Sequence, residues 1–255
     1  MKAKHKTVFI AFSSQKGGVG KSTFTTLTAS TLHYRLGYNV VVFDADFPQY
    51  SLVKMKARDL SMVMENEVLK KTAYKQFSTI NKKAYPIIQS KADGLLETAY
   101  DFLEASPVPI DVVFFDLPGT VNTPGILKAL AGTHHIFTPI TADRLVMEST
   151  LIFTQLMKDV IMKDGETSIR SINLFWNQVD GRERSPLYDI YNKLIHDLGL
   201  SLMECQVMSS TRFRKESEMT AKAVFRSTVL PPEEQMMKAS RFDQFMAEFL
   251  RIVQL

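Results

Sequence analysis

The run Gln15-Lys16-Gly17-Gly18-Val19-Gly20-Lys21-Ser22-Thr23 holds the residue types that grip a polyphosphate. Its glycines let the backbone curl so that successive N–H groups point inward at phosphate oxygens, and a helix starting behind them adds its positive N-terminal end. In that arrangement Lys21 reaches the β- and γ-phosphates of a nucleoside triphosphate, and the Ser22 hydroxyl ligates Mg²⁺. Thr23 is placed for the α-phosphate, while Gly17, Gly18, Val19 and Gly20 supply the backbone cradle. A glycine-rich turn without nucleotide would share some of these features, but the whole string arises by chance in about one chain in ten thousand at average composition.

Two apolar runs end in carboxylates that could serve the same site. Asn39–Asp44 (NVVVFD) is followed by Ala45 and Asp46, and Asp111–Asp116 (DVVFFD) by Leu117, Pro118 and Gly119. Alone, such carboxylates also start turns and cap helices. Behind a phosphate-binding loop, Asp116 is placed to hold Mg²⁺ or its water, and Pro118-Gly119 suits a segment that responds to the γ-phosphate. The single Cys205 excludes an intrachain disulfide framework, a multi-cysteine zinc site and an iron–sulfur cluster held by this chain alone. It reads as a small buried hydrophobe in a reducing compartment.

These residues need a scaffold that gathers strand ends. Short β-rich or continuous apolar runs predict strands at Thr7–Phe12, Asn39–Asp44, Tyr85–Gln89, Asp111–Asp116, His135–Pro139 and Ile169–Asn177. Helices are expected over Ser22–Arg35, Gly94–Ala105, Pro124–Ala131, Met147–Met162, Pro186–Leu198, Phe213–Ala221 and Pro231–Val253. Strands alternating with helices predict an α/β fold with a doubly wound, mostly parallel sheet. The 255 residues are 45% hydrophobic and 23% charged, with no repeat or linker, so one domain over 1–255 is expected. The apolar patch near the N-terminus is too short for a secretory signal, and no run reaches the roughly 20 apolar residues that span a bilayer. A cytoplasmic protein without stable membrane insertion is therefore expected.

Position 15 is Gln where the ordinary phosphate-loop motif has Gly, and Lys16 follows it. The string KGGVGKST resembles the deviant Walker A motif of the ParA/MinD family of ATPases. The resemblance implies that Lys16 reaches the phosphates held by a facing subunit, so that ATP is sandwiched in a homodimer. The bare chemistry agrees, because a second cation beside a triphosphate stabilises charge that one lysine does not neutralise. The family pattern also implies that Asp46 orients or activates the attacking water, that Asp44 supports Mg²⁺ and the first switch, and that Asn177 reads adenine. Many members carry D-x-D-P-Q where this chain has Asp44-Ala45-Asp46-Phe47-Pro48-Gln49, with Phe47 inserted. Met208–Glu216 and Phe225–Pro232 are similar to the family's last strand, adenine-side loop and closing helices, without the usual glycine. Within the family the chain is most similar to short ParA-like proteins of Bacteroidetes mobile elements.

Charge narrows the function. The chain has 31 basic and 27 acidic residues, a net charge of +4. The excess lies in the N-terminal part, including a block with Lys70, Lys71, Lys75, Lys82 and Lys83 interleaved with Tyr74, Phe77 and Tyr85. That block reads as a solvated helical face or as a surface for phosphates. One cysteine excludes the cluster-bridging iron proteins of this fold, and the last tyrosine, Tyr191, lies too early for a C-terminal tyrosine cluster. The tail SRFDQFMAEFLRIVQL has an apolar side and a net-neutral polar side, which predicts a core-packing helix rather than a basic membrane anchor. The expected function is a partition-type ATPase using ATP and Mg²⁺. Its dimer binds DNA non-specifically through Arg212, Arg214, Arg226 or the lysine block, associates with the nucleoid, and is reset by a ParB-like protein. The alternative is a MinD-like spatial regulator bound to membrane or scaffold. A synthetase of the same fold is a third reading that no residue pattern favours.

Overall fold

The computed structural model describes residues 6–119, 123–158, 167–182, 186–210 and 225–255. In chain order these form β1 (Val8–Phe12), α1 (Lys21–Tyr34), β2 (Val40–Asp44), α2 (Ser51–Glu65), α3 (Glu67–Ile80), β3 (Ile87–Gln89), α4 (Leu95–Ala105) and β4 (Val112–Asp116). There follow α5 (Pro124–Ala131), β5 (His135–Ile140), α6 (Arg144–Leu156), β6 (Ser171–Val179), α7 (Leu187–Asp197), β7 (Ser201–Met208), α8 (Glu234–Ala239) and α9 (Phe242–Val253).

The seven strands make one sheet in the order β3-β2-β4-β1-β5-β6-β7, and every neighbouring pair is parallel. Parallel strands need crossovers, and the helices that supply them cover both faces. The alternation of side chains sorts the core accordingly. Val8, Ile10 and Phe12 of β1 pack with α1, α8 and α9 residues, whereas Phe9 and Ala11 pack with α4 and α5. A third cluster joins Trp176 and Leu174 of β6 to Tyr191 and Ile195 of α7. Burial on both faces is why β1, β2 and β4 read as unbroken apolar runs.

The expected strands all appear, with ends shifted by a residue or a few. Three elements were not legible as such. Helix α2 starts without a side-chain cap of its own; Asp44 at the end of β2 accepts from Leu52 N (2.9 Å) and Val53 N (3.0 Å) instead. Helix α3 is capped locally by Asn66, whose side chain accepts from Val68 N and Leu69 N, a signal masked by the dense lysines around it. Strand β7 alternates buried and exposed positions and joins β6 through register shifts.

Helix α6 begins at Arg144, earlier than expected, because Asp143 caps it through Val146 N; residues 159–162 of the expected helix lie outside the described residues. The expected helix Phe213–Ala221 also lies outside them. The single helix expected over Pro231–Val253 is two, separated at Arg241, which is left-handed (φ 57°). Ser240 makes the break, since its hydroxyl donates back to Met236 O and its carbonyl accepts from Met208 N at the end of β7. Helix α9 buries Phe242, Phe245, Met246, Phe249 and Val253, as its apolar side predicts. No helix among the described residues is long and apolar enough to cross a membrane.

Candidate nucleotide site

Strands β1, β4 and β2 are adjacent and parallel, so their carboxyl ends bring Ser13, Asp116 and Asp44 to one edge of the sheet. Open α/β sheets bind ligands at that edge. The loop from β1 turns through Gly18 (φ 76°) and Gly20 (φ 99°), conformations that cost little only without a Cβ. Gly20 is the N-cap residue of α1, so Lys21, Ser22 and Thr23 form the first helical turn with their N–H groups facing the loop.

Lys21 is buried and its Nζ donates to Lys16 O at 2.9 Å, curling the side chain over the loop. Burial pulls its ammonium below the usual lysine range, while Asp116 and Asp46 push the other way. Gly119 follows β4 at close quarters: a Cβ there would lie 3.2 Å from Lys21 Nζ and 3.5 Å from Gly17 N. Ser22 Oγ donates to Asp116 Oδ2 at 2.8 Å, and Thr25 Oγ1 to Asp116 Oδ1 at 3.4 Å. Asp116 is fully buried, and desolvation pushes its carboxyl up to about 7 against the Ser22 hydrogen bond.

Asp44 is equally buried, and backbone donors take its oxygens: Leu52 and Val53 on Oδ2, Asp46 N (3.3 Å) on Oδ1. It therefore anchors the loop 46–53 and the start of α2, while its charge raises the pKa of Asp116. Asp46 is half-buried, raised by desolvation and lowered by Lys21. With Gln49, Lys21, Ser22, Thr23 and Gly119 it borders a cavity of about 330 Å³. Phe47 is 61% exposed and its ring packs on Tyr50, so the inserted residue points outward from the loop. Lys16 is exposed, and its backbone carbonyl accepts from Lys21.

A second cavity, about 360 Å³, lies on the other side of the loop between Gly20, Thr23, Phe24, Asn177, Gln178 and Ser210. Asn177 Nδ2 donates to Val19 O at 2.9 Å, and a Cβ on Gly20 would come within 3.1 Å of that nitrogen. Gln178, left-handed at φ 57°, donates to Gly18 O at 3.3 Å. One cavity is thus lined by cation, hydroxyls and carboxylate, the other by amides, hydroxyl and a phenyl ring. Residues Gly18, Gly20 and Thr23 border both.

The donor set fits a nucleotide with Mg²⁺. Ser22 and Asp116 offer hard oxygens, as Mg²⁺ prefers, and no group of three His, Cys, Asp or Glu among the described residues is arranged to hold a metal by itself. Mg²⁺ in such sites takes one or two protein oxygens and leaves the rest to phosphates and water. Among expected site residues, Arg212 and Arg214 lie outside the described residues. Arg226 is not spread on a surface: its Nη1 donates to Thr23 Oγ1. Gln178, Gln49, Phe24 and Ser210 are site-lining residues that sequence reasoning passed over; Gln178 adjoins Asn177, and Gln49 lies within the acidic motif.

Residues 5–85, which contain the phosphate loop and Asp46, match the family model of ParA, described as NUBPL iron-transfer P-loop NTPase. The chain has the α/β fold of the P-loop NTPases. Solved structures are similar over most of the chain. The cobyrinic acid a,c-diamide synthase of Mycobacterium smegmatis, with bound ATP analogue and magnesium, is 17% identical with a TM-score of 0.61, over 96% of this chain and 95% of that one. The cell division protein MinD of Aquifex aeolicus is 13% identical with a TM-score of 0.59, over 97% of each chain. A plasmid partition protein of Borrelia burgdorferi bound to AMPPNP is 19% identical with a TM-score of 0.50, over 75% of this chain and 83% of that one. At these identities the likeness establishes the fold. No curated protein matches the sequence.

Proposed function

We propose that this protein is a Mg²⁺-dependent ATPase that dimerises around ATP and, in that state, binds DNA without sequence preference to partition a replicon. The observation that carries the reading is the pair of lysines on one loop. Lys21 is buried against the loop and Lys16 is exposed, so one is placed for the bound phosphates and the other is available to a facing protomer. Ser22 and Asp116 would hold Mg²⁺, which would supply charge neutralisation to the phosphates. Asp46 lies across the same cavity from the loop, where it orients the attacking water. Asn177, Gln178 and Ser210 receive the base. Asp44 carries the state of this cavity to α2 through the loop it anchors.

DNA contact falls to exposed cations. On α3, Lys70, Lys71 and Lys75 are exposed beside Tyr74, which is 76% exposed, and Arg212 and Arg214 remain candidates. Each protomer presents few such groups, and a two-fold dimer doubles them, which raises avidity steeply. A ParB-like protein resets the dimer by stimulating hydrolysis. The burial of α9 in the core supports DNA over a membrane surface as the site of retention.

The test is retention of duplex DNA at several salt concentrations with ATP and with ADP, beside sedimentation with anionic vesicles. The expected result is binding with ATP only, with a log–log salt slope of about −0.9 per phosphate neutralised. Alanine at Lys70, Lys71 and Lys75, or at Arg212 and Arg214, flattens the slope and leaves ATP binding intact. DNA affinity that is absent, or equal in both nucleotide states, overturns the partition reading; vesicle binding with ATP would then identify a MinD-like regulator.

A further inference from the structure

Arg226 begins a short segment that the fold clamps between α1 and α2. Ser30 Oγ donates to Ser227 O at 2.6 Å and Tyr34 OH to Thr228 O at 2.8 Å, both from α1. From α2, the wholly buried Asp59 accepts from Thr228 N (2.7 Å) and Thr228 Oγ1 (2.9 Å), and from Arg58 Nη2 (3.1 Å). Ser227 Oγ turns inward to accept from Val229 N and Leu230 N. A segment tied at this many points holds its first side chain in one place, and that place is the first turn of α1, where Arg226 Nη1 meets Thr23 Oγ1.

Thr23 borders both cavities, the one lined by Lys21, Ser22 and Asp46 and the one lined by Phe24, Asn177 and Gln178. A guanidinium brought to that point out of water is costly unless an anion shares it. Burial and the neighbouring Arg58 pull Arg226 down to about 10, with Asp59 opposing. Thus Asp59 attracts two guanidiniums, and an anion at Thr23 would lie beside a largely buried guanidinium already held at that hydroxyl.

We propose that Arg226 is a nucleotide-binding residue which, together with Thr23, donates to the α-phosphate of the nucleotide held in the same protomer. This rests on the nucleotide-binding part of the function proposed above and not on dimerisation or DNA binding. The α-phosphate is common to ATP and ADP, so the contact supports both states equally, unlike Lys16 and Lys21, whose partners are the outer phosphates. It also gives the segment after β7 a direct reading of whether nucleotide is bound.

Calorimetric titration with AMPPNP, ADP and the two diastereomers of ADPαS decides it. The Arg226→Gln variant should lose about ten- to a hundredfold in affinity for AMPPNP and ADP alike, the range expected for one charge-assisted hydrogen bond. Arg226→Lys should recover part of it. The native protein should disfavour one ADPαS diastereomer, and Arg226→Gln should no longer discriminate. If Arg226→Gln keeps native nucleotide affinity, or keeps the thio discrimination while its circular dichroism is native, the residue is only a structural tie and the proposal is overturned. Lys21→Ala separates the two levels: native affinity in Lys21→Ala would remove the nucleotide reading itself, whereas loss there with none in Arg226→Gln removes only this inference.

Discussion

Ser22 Oγ donates to Asp116 Oδ2 at 2.8 Å, joining the first turn of α1 to the end of β4 across 94 positions of the chain. The bond places the two oxygens expected to share Mg²⁺ within reach of each other, on elements that cannot shift separately because β1 and β4 are paired over five positions. Burial holds the same carboxyl up at about 7, against the Ser22 hydrogen bond and the nearby Lys21.

Replacing Lys21 by alanine should lower affinity for ATP with Mg²⁺ by about a hundredfold or more, since it removes the charge-assisted contact to the outer phosphates. Asp116→Asn should bind nucleotide in the absence of Mg²⁺ as the native protein does, and lose the gain that Mg²⁺ brings. Calorimetry with and without Mg²⁺ checks both; native affinity in Lys21→Ala would overturn the P-loop assignment.

Lys16 and Asp46 should fail at different steps. Lys16→Ala is expected to bind ATP as a monomer and not dimerise, because in the proposed dimer its exposed ammonium serves the facing protomer. Asp46→Ala should bind, dimerise and stall, with hydrolysis reduced by about a hundredfold or more. Light scattering with ATP and a phosphate-release assay distinguish them; an Asp46→Ala protein that hydrolyses normally moves the water-orienting role elsewhere on the loop 46–53.

Acid should weaken the fold through two histidines at the start of β5. Burial, with Arg170 nearby, pulls His134 and His135 down to about 4. His134 Nδ1 accepts from Phe9 N at 2.9 Å, a bond that requires the unprotonated ring nitrogen. An unfolded chain takes up these protons near pH 6.5. The unfolded state therefore binds more protons between about pH 6.5 and 4, and stability is complete above that window and falls through it. Asp116, raised to about 7, acts in the opposite sense by favouring the folded state at low pH. The histidine contribution is isolated by comparison with His134→Asn, whose amide oxygen can still accept from Phe9. The native protein should lose about 1 kcal/mol more than this variant between pH 7.5 and 5. Equal losses in urea titrations would show that His134 is not the cause.

Phe245 ties α9 to the sheet beneath the site. Its ring lies 4.8 Å from Phe175, 5.2 Å from Phe24, 6.2 Å from Phe12 and 6.3 Å from Phe137. Phe245→Ala should cost about 3–5 kcal/mol, the transfer of the ring plus the cavity it leaves. Chemical denaturation measures it; a loss below about 1 kcal/mol would mean that the neighbouring rings collapse into the space.

What could be read without coordinates was what local chemistry dictates. Glycines at 17, 18 and 20 with Lys21 and Ser22 point to a phosphate cradle, and unbroken runs such as Val40–Asp44 and Val112–Asp116 announce strands buried on two faces. Helix α9 was legible from its period alone. Wherever the partner lies far along the chain, that reading stopped short. Helix α2 is started by Asp44 of another element, so its own first residues carry no capping signal. Asp44 thereby becomes an anchor for the loop as well as the register neighbour of Asp116. Arg226 looks in the sequence like one more surface cation. Only the folding of its segment against Ser30, Tyr34 and Asp59 brings it 203 positions back to Thr23. Residue type and spacing determine which chemistry is available, since they set φ, charge and hydrogen-bonding capacity locally. Which of those groups share a site is decided by strand order and helix packing, because the contacts responsible form only when distant segments are buried together.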